Sequence, residues 1–189
     1  MRLATAYFRV NLLLAASVFM ACSVARSEEN KPPDEAFDRS SFELKFQVPD
    51  SFTLTGSTRK YVKTDTGPAP CLDTIWEHAG DSIVIRLSVI PDAAWEKPPA
   101  EMFAAAQQGM LSRPNVRVIS EHDYKVDDHP AHSVIISFER DKLWFGRMDF
   151  VLNKPIVHVV LYMSPNEAAL KGEASKALFQ SISIKPKKS

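Results

Sequence analysis

The sequence predicts an α+β domain in which an antiparallel β-sheet carries packed helices. Three observations predict this fold. Runs of alternating apolar and polar residues, typical of half-buried strands, dominate the chain from residue 42 onward. The last four long runs are separated by connections of three to five residues, which join only antiparallel neighbours. Two segments with helical apolar spacing interrupt the strands.

The composition is that of a globular protein. The chain has 189 residues, of which 45% are hydrophobic and 24% are charged. These fractions exclude disordered, fibrous and polytopic membrane proteins. Lys plus Arg (23) equals Asp plus Glu (23), so the net charge indicates no nucleic-acid partner. Two cysteines cannot form a disulfide scaffold.

The N-terminus has the layout of a secretory signal peptide. Arg2 and Arg9 precede an uncharged apolar run over residues 12–21, which is short of the ~20 residues needed to span a bilayer. The small residues 23–25 follow as a cleavage site. The pattern predicts a signal peptide over residues 1–25, and therefore a periplasmic or secreted protein.

A second interpretation of the same segment is a lipid anchor. Residues 19–22, Phe-Met-Ala-Cys, resemble a bacterial lipobox, in which a small residue precedes a lipidated cysteine. Under this alternative Cys22 is the lipidation site and the protein is anchored to the membrane. An uncleaved anchor is the third alternative.

The segment after the signal peptide is predicted to be a disordered linker over residues 26–40. Its apolar side chains other than proline are Ala36 and Phe37, too few to offset the entropy of ordering the segment. The folded domain is predicted over residues 41–185, followed by a basic tail over residues 186–189.

The first half of the domain is predicted to be mainly β. Strict alternation over residues 42–48 predicts a strand that ends at Pro49. Further strands are predicted at 59–63, 71–77 and 82–90, with a loop at 66–70 and a hairpin turn at 79–81.

The first helix is predicted after this group of strands. Pro98 and Pro99 suit a first helical turn, which lacks intrahelical N–H partners. Phe103, Ala106 and Met110 follow at i, i+3 and i+7 and predict the buried face. The helix is predicted to end before Pro114.

The second half is predicted to be a four-stranded meander followed by a helix and a strand. Its strand-like runs cover residues 116–125, 131–139, 143–152 and 156–163. Residues 164–167, Ser-Pro-Asn-Glu, form a capping box that predicts a helix. Its predicted buried positions are Leu170, Ala174, Ala177 and Leu178, and a last short strand is predicted at 181–184.

The order of elements and several short motifs resemble the PsbP-like superfamily. The motifs are the Phe42–Phe52 opening, the Val126–Ala131 hairpin and the closing Leu178–Ile182 segment. The superfamily includes the photosystem extrinsic subunit PsbP, a Ran-binding import factor and DcrB-type bacterial envelope lipoproteins. The resemblance implies an α/β/α sandwich and a binding or accessory role, because members are largely non-enzymatic. The hairpin has Asp127-Asp128 where an Asp-Gly or Asn-Gly is usual.

One cluster of potential metal ligands occurs at this hairpin. It consists of Asp127, Asp128, His129 and His132, and some PsbP relatives bind divalent ions. Residues three apart on a regular strand point to opposite faces, so His129 and His132 converge only if Pro130 bends the chain. The alternative is a solvated turn with His132 beside the sheet.

No catalytic motif is present in the sequence, and the prediction is that the protein is not an enzyme and uses no cofactor. Cys71 is interpreted as a small buried hydrophobic residue, and His158, in an apolar strand, as a structural histidine. A nucleophilic pair of Cys71 and His78 would need an orienting group and an oxyanion site that the sequence does not show.

Three tryptophans are candidates for a ligand or partner surface. Trp76, Trp95 and Trp144 lie in or near the ends of predicted elements. They would suit a peptide, lipid or protein surface if two or more lined one groove. The alternative is that they close the ends of the core.

These patterns together predict a non-catalytic exported envelope protein that binds a protein or a small ligand. One alternative is a metal-binding protein or metal-dependent enzyme with its site at residues 127–132. The other is a membrane-anchored lipoprotein that scaffolds an envelope assembly.

Overall fold

The structure, a computed structural model, describes residues 31–64, 67–111, 115–139 and 141–187. The predicted signal peptide, its cleavage site and Cys22 lie outside these residues. Within them, no helix has the length and apolar character needed to cross a membrane.

The described residues form nine strands and two α-helices. The strands are β1 (Phe42–Lys45), β2 (Thr53–Thr64), β3 (Gly67–His78), β4 (Asp81–Val89), β5 (Val116–Val126), β6 (His129–Glu139), β7 (Leu143–Asn153), β8 (Ile156–Ser164) and β9 (Ser183–Pro186). The helices are α1 (Pro99–Leu111) and α2 (Glu173–Gln180). Short 3₁₀ segments cover Asp34–Asp38, Asp92–Glu96 and Glu167–Lys171.

Seven strands form one antiparallel sheet in the order β2-β3-β4-β8-β7-β6-β5, and β1 pairs with β9 in a separate two-stranded sheet. The predicted α+β class is confirmed. Strands β5 to β8 form the predicted meander, with each strand beside its neighbour in sequence.

The β2–β3 hairpin is longer than predicted. The predicted loop at 66–70 is wrong for Gly67–Pro70, which begins β3 and pairs with β2 as far as Thr64. Strand β4 pairs with β3 only from Cys71 onward. Pro68 and Pro70 are therefore tolerated, because no strand lies on the side where their missing N–H groups would point.

Helix α1 begins in the predicted place but buries a different face. Met102, Phe103 and Gln107 are buried, whereas Ala106 is exposed, so the prediction that Ala106 faces the sheet is wrong. The side chain of Met110 lies outside the described residues. Phe103 and Gln107 are one helical turn apart, and the buried face follows this i, i+4 pair.

The predicted C-terminal helix consists of two pieces. Asn166, rather than Ser164, caps the first piece, because its Oδ1 accepts from Ala168 N at 3.1 Å. Gly172 is extended (φ −73°, ψ 168°) and separates the 3₁₀ segment from α2. Ala177 is exposed and Phe179 is buried, which corrects the predicted face.

The two faces of the large sheet carry different layers. Ala131 belongs to the main core with Leu178 and Phe179 of α2, and the β1–β9 pair covers the same face through Leu44 and Ile184. His132, on the opposite face, stacks on Phe103 of α1. We call these the α2 face and the α1 face.

Residues 31–40 are attached to the domain over the part of the predicted linker that the structure describes. Pro32 and Ser40 are buried. Lys187 pairs with Asp38 at 3.0 Å, and its N–H donates to Ser41 O at 2.8 Å. Polar and main-chain contacts hold this segment and the start of the predicted basic tail. The linker prediction counted only apolar residues, so it did not include these contacts.

Candidate binding groove

A groove of about 460 Å³ opens at the end of the large sheet, where the start of α1 meets the β7–β8 turn. It takes residues from both faces of the sheet. The groove is lined by Phe42, Trp95, Lys97, Pro99, Met102, His129, Pro130, Leu152, Asn153 and Lys154. Most of this wall is apolar, and two lysines stand at its rim.

Trp95 is held by the 3₁₀ segment Asp92–Glu96. Its Nε1–H donates to Ile90 O at 3.3 Å, and Ile90 N–H donates to Pro155 O at 2.9 Å. The indole is thus tied to the β7–β8 turn by its polar edge. Its half-buried ring forms part of the groove wall.

His129 contributes an imidazole whose tautomer follows from its partner. Nδ1 lies 3.2 Å from Leu152 O. A carbonyl oxygen can only accept, so Nδ1 carries a proton and donates it to this carbonyl. The ring of Phe42 meets His129 edge to face at 5.9 Å.

Asn153 joins the groove to the interior. Its Nδ2 donates to Phe42 O at 3.5 Å and to His158 Nε2 at 3.2 Å, and its Oδ1 accepts from Ser40 at 3.5 Å. His158 is almost fully buried, and its Nδ1 has no hydrogen-bond partner. Burial, then the positive charges of His129 and Lys187, lowers the pKa of His158 to about 4, so this ring is neutral at pH 7.

The groove is positively charged at its rim. Lys97 and Lys154 are exposed, and no Asp or Glu is among the ten lining residues. Asp92 lies 3.8 Å from Lys154 Nζ, with both side chains more than half exposed. A pair this exposed is strongly screened by solvent and leaves the rim attractive to an anion.

The four predicted metal ligands have different surroundings in the structure. Asp127, at φ 51° in the hairpin turn, accepts from Ile184 N at 2.8 Å. Asp128 is exposed, His129 lines the groove, and His132 lies on the α1 face. In the described part of the chain, no three His, Cys, Asp or Glu side chains are arranged to hold a metal ion.

His132 is instead paired with carboxylates of β5. Its Nδ1–H donates to Asp123 Oδ1 at 2.6 Å, and Glu121 lies 3.6 Å from Nε2. Its ring stacks on Phe103 at 5.2 Å with an interplanar angle of 23°. In a hairpin that turns at Asp127-Asp128, Val126 is opposite His129 and Asp123 is opposite His132. The pairing of Asp123 with His132 could therefore have been predicted from the turn, but it was not.

The three candidate tryptophans lie apart. Trp76 packs edge to face on Phe46 at 5.9 Å, on the α2 face. Trp144 is 6% exposed and stacks on Phe138. Trp95 lines the groove, which Trp76 and Trp144 do not border.

Cys71 is fully buried, as predicted. Its Sγ–H donates to Asp73 Oδ1 at 3.5 Å, and burial raises the pKa of the Cys71 thiol to about 11. His78 lies seven residues along β3 and points to the other face of the sheet. The two residues cannot act as a nucleophilic pair.

Two buried carboxylates, one on each sheet face, were not singled out from the sequence. On the α1 face, Asp73 accepts two hydrogen bonds from Arg86 at 2.7 and 3.1 Å and lies 3.0 Å from Lys60 Nζ. Burial raises the pKa of Asp73, but the hydrogen bonds and charge of Arg86 and the charge of Lys60 outweigh burial and hold the pKa below its usual value.

On the α2 face, Asp149 accepts from Arg147 at 2.9 and 3.0 Å, from Ser133 at 2.7 Å and from Tyr124 at 2.5 Å. The Arg147 guanidinium lies 3.9 Å from the ring centre of Phe179. Burial, then the charge of Asp149, raises the pKa of Tyr124. This cluster connects the sheet to α2.

Comparison with known proteins places the fold. No family model and no curated protein matches the sequence. Among solved structures the chain is similar to LpqN, involved in cell envelope biogenesis of Mycobacterium tuberculosis, with 13% identity and a TM-score of 0.50 over 79% of this chain and 87% of that chain. The likeness is one of fold.

A PsbP protein is also among the matched structures. Cyanobacterial PsbP from Synechocystis sp. PCC 6803 matches with 10% identity and a TM-score of 0.47, over 77% of this chain and 94% of that chain. An immunity protein of the type VI secretion system, TplEi from Pseudomonas aeruginosa, matches with 16% identity and a TM-score of 0.43, over 64% of this chain and 46% of that chain.

Proposed function

We propose that the protein is a non-catalytic binding module exported to the cell envelope, and that the groove is its recognition site. The observation that carries the proposal is the groove wall. Trp95, Met102 and Leu152 offer apolar surface beside His129 and a basic rim. Mostly apolar walls with a few placed polar groups are typical of ligand sites of 300–1,000 Å³.

The chemistry of the buried groups supports recognition rather than catalysis. The Cys71 thiol is buried and has a raised pKa, which disfavours the thiolate that nucleophilic chemistry needs. His129 has a carbonyl, not a carboxylate, on its Nδ1. Asp73 and Asp149 are engaged by cations of their own clusters.

Export is supported by the signal-peptide pattern over residues 1–25 and by the fold shared with an envelope protein. Mass spectrometry of the mature N-terminus tests it. A free N-terminus at Arg26 is the expected result, and a diacylated Cys22 would instead support the anchored scaffold. An intact precursor recovered from the cytosol would overturn export by either route.

Photocrosslinking tests the groove as the recognition site. A benzoylphenylalanine at position 97, on the rim, is expected to give specific adducts in the cell envelope. The matched control carries the same group at exposed Thr58 of β2, at the other side of the sheet. Adducts should disappear when Leu152→Glu places a charge in the groove wall. Identical adducts from both positions, or none from position 97, would contradict the proposal.

The alternative of a metal site at residues 127–132 has its own test. Metal analysis of the purified mature protein, with His132→Ala as the control, distinguishes the two functions. The recognition proposal expects no stoichiometric metal. One equivalent of metal that is lost in the variant would establish the alternative.

A further inference from the structure

We infer that the groove takes a small amphiphilic carboxylate, a molecule with one anionic head and an apolar alkyl or aryl body. This inference rests on the proposed function, because it names the ligand class of the same groove. Three observations support it: the positive charge of the rim, the apolar wall, and the hydrogen bonds that already engage main-chain groups around the groove.

The rim selects for negative charge. Lys97 and Lys154 are the charged side chains of the lining, and Asp92 forms an exposed pair with Lys154. The lining residues include no arginine. Because the arginine fork is the group that matches phosphate in two-point contacts, whereas lysine acts as a point charge, the rim favours a singly charged carboxylate.

The wall behind the rim suits an apolar body. Phe42, Trp95, Met102 and Leu152 supply aromatic, thioether and branched surface. Methionine adapts to ligands of differing shape because its side chain is flexible and polarisable. Burial of alkyl or aryl carbon against this wall provides the main favourable free energy of binding.

The main-chain groups of the groove argue for a small molecule over an added β-strand. Phe42 N–H donates to Ser40 Oγ at 3.2 Å, and Phe42 O accepts from Asn153. Leu152 O accepts from His129, and Pro99 and Pro130 have no N–H. Strand addition needs a run of free main-chain groups, and the groove wall does not offer one.

Binding of four probes with the same ten-carbon chain tests the inference. Decanoate, decyl phosphate, decyl maltoside and decyltrimethylammonium are titrated into the full mature chain below their micelle-forming concentrations, by calorimetry. Decanoate is expected to bind on the order of tenfold more tightly than the neutral and cationic probes, an energy that two partly exposed charge contacts, one from each rim lysine, can supply.

A pair of double variants separates the effect of the rim lysines on binding from the effect of the protein's net charge. Lys97→Gln with Lys154→Gln should reduce the affinity for decanoate by about tenfold and leave the affinity for decyl maltoside unchanged. Lys171→Gln with Lys176→Gln removes the same charge from exposed positions of the C-terminal 3₁₀–α2 segment, and it should change neither.

The outcomes are separable. Equal binding of decanoate and decyl maltoside, or tighter binding of decyl phosphate, would overturn the carboxylate inference while the photocrosslinking result still decides the recognition site. Absence of decanoate binding would overturn the inference as well. Loss of affinity in the Lys171/Lys176 control equal to that in the rim variant would show a net-charge effect and contradict it.

Discussion

Asp149 shows how one residue can hold two layers together. Its carboxylate is fully buried, and side chains of three strands engage both of its oxygens. A buried charge costs several kcal/mol unless it is paired and hydrogen-bonded. The pairing also places Arg147 over Phe179, so the charge cluster and the α2 contact depend on each other.

Asp149→Asn is expected to lower the free energy of unfolding by about 3 kcal/mol, because it leaves Arg147 without its counterion in a largely buried site. Urea denaturation measures the change. Asp128→Asn is the matched control, since that side chain is exposed, and it should cost under about 1 kcal/mol. Equal losses in the two variants would contradict the assigned role of the cluster.

His158 makes stability depend on pH. Its pKa is lowered from 6.5 to about 4 in the folded protein, first by burial. Between these values the unfolded chain binds more protons than the folded chain, so stability is full above pH 6.5 and is lost as the pH falls toward 4. From pH 7 to pH 5 the contribution of His158 should fall by about 2 kcal/mol.

The measurement is the unfolding free energy of the native protein and of His158→Gln at pH 7 and pH 5. Glutamine retains an acceptor for Asn153 and does not titrate, so the variant should lose less stability on acidification. His122→Gln, at an exposed position, should keep the slope of the native protein. A native-like slope in His158→Gln would refute the assignment.

At the scale of elements, the ring contact of Phe103 helps to hold α1 against the sheet. Phe103 is 4% exposed and stacks on His132, which Asp123 orients. Phe103→Ala should destabilise the domain by about 3 kcal/mol and speed hydrogen exchange of the α1 amides. Ala106→Ser, on the exposed face, should change neither the stability of the domain nor the hydrogen exchange of α1. If the α1 amides of Phe103→Ala remain protected, other contacts hold the helix and the assigned role of Phe103 is wrong.

The β6–β7–β8 hairpins could be predicted from the sequence, whereas the helix faces could not. Short connections such as 153–155 limit strands to antiparallel neighbours. For α1, the apolar spacing of Phe103, Ala106 and Met110 predicted one buried face. In the structure Phe103 stacks on His132, and the helix is oriented so that Ala106 is exposed. Alanine is a weak marker of a buried face, because exposing it costs little.

The Asp127 turn connects the meander to the last strand. Its Oδ2 accepts from Ile184 N at 2.8 Å, and its φ of 51° is in the left-handed region. Asp127→Ala should cost about 1 to 2 kcal/mol, since it removes the acceptor and strains the backbone. Asp127→Asn keeps an acceptor and tolerates this conformation, so thermal unfolding should be near native. Equal destabilisation by both would show that charge, not the hydrogen bond, matters.

At the scale of the whole molecule, the two ends of the described domain meet. Strand β1 pairs with β9, and Lys187 joins Asp38 and Ser41. The groove lies next to this closure, because Phe42 begins β1 and Asn153 contacts both Phe42 and Ser40. Ser40, the last residue of the predicted disordered linker, therefore contacts a residue of the groove wall.

Part of the candidate site could be predicted from the sequence. Trp95 was named as a candidate surface aromatic and His129 as a candidate metal ligand, although for separate sites. Lys97, Met102 and Lys154 could not be joined to them, because residues from α1, β6 and the β7–β8 turn are brought together only by the sheet order. The buried pairs of Asp73 and Asp149 likewise depend on cross-strand register.

The most direct test of the recognition site is a nitrogen–proton spectrum of the mature protein titrated with decanoate. The three tryptophan indole N–H signals report on three separate places. We expect the Trp95 signal and the backbone amides of Lys97, Met102 and Lys154 to shift with a saturable curve, while the Trp76 and Trp144 indoles stay in place. Shifts confined to the indoles of Trp76 or Trp144, or no saturable shift at Trp95, would contradict the account.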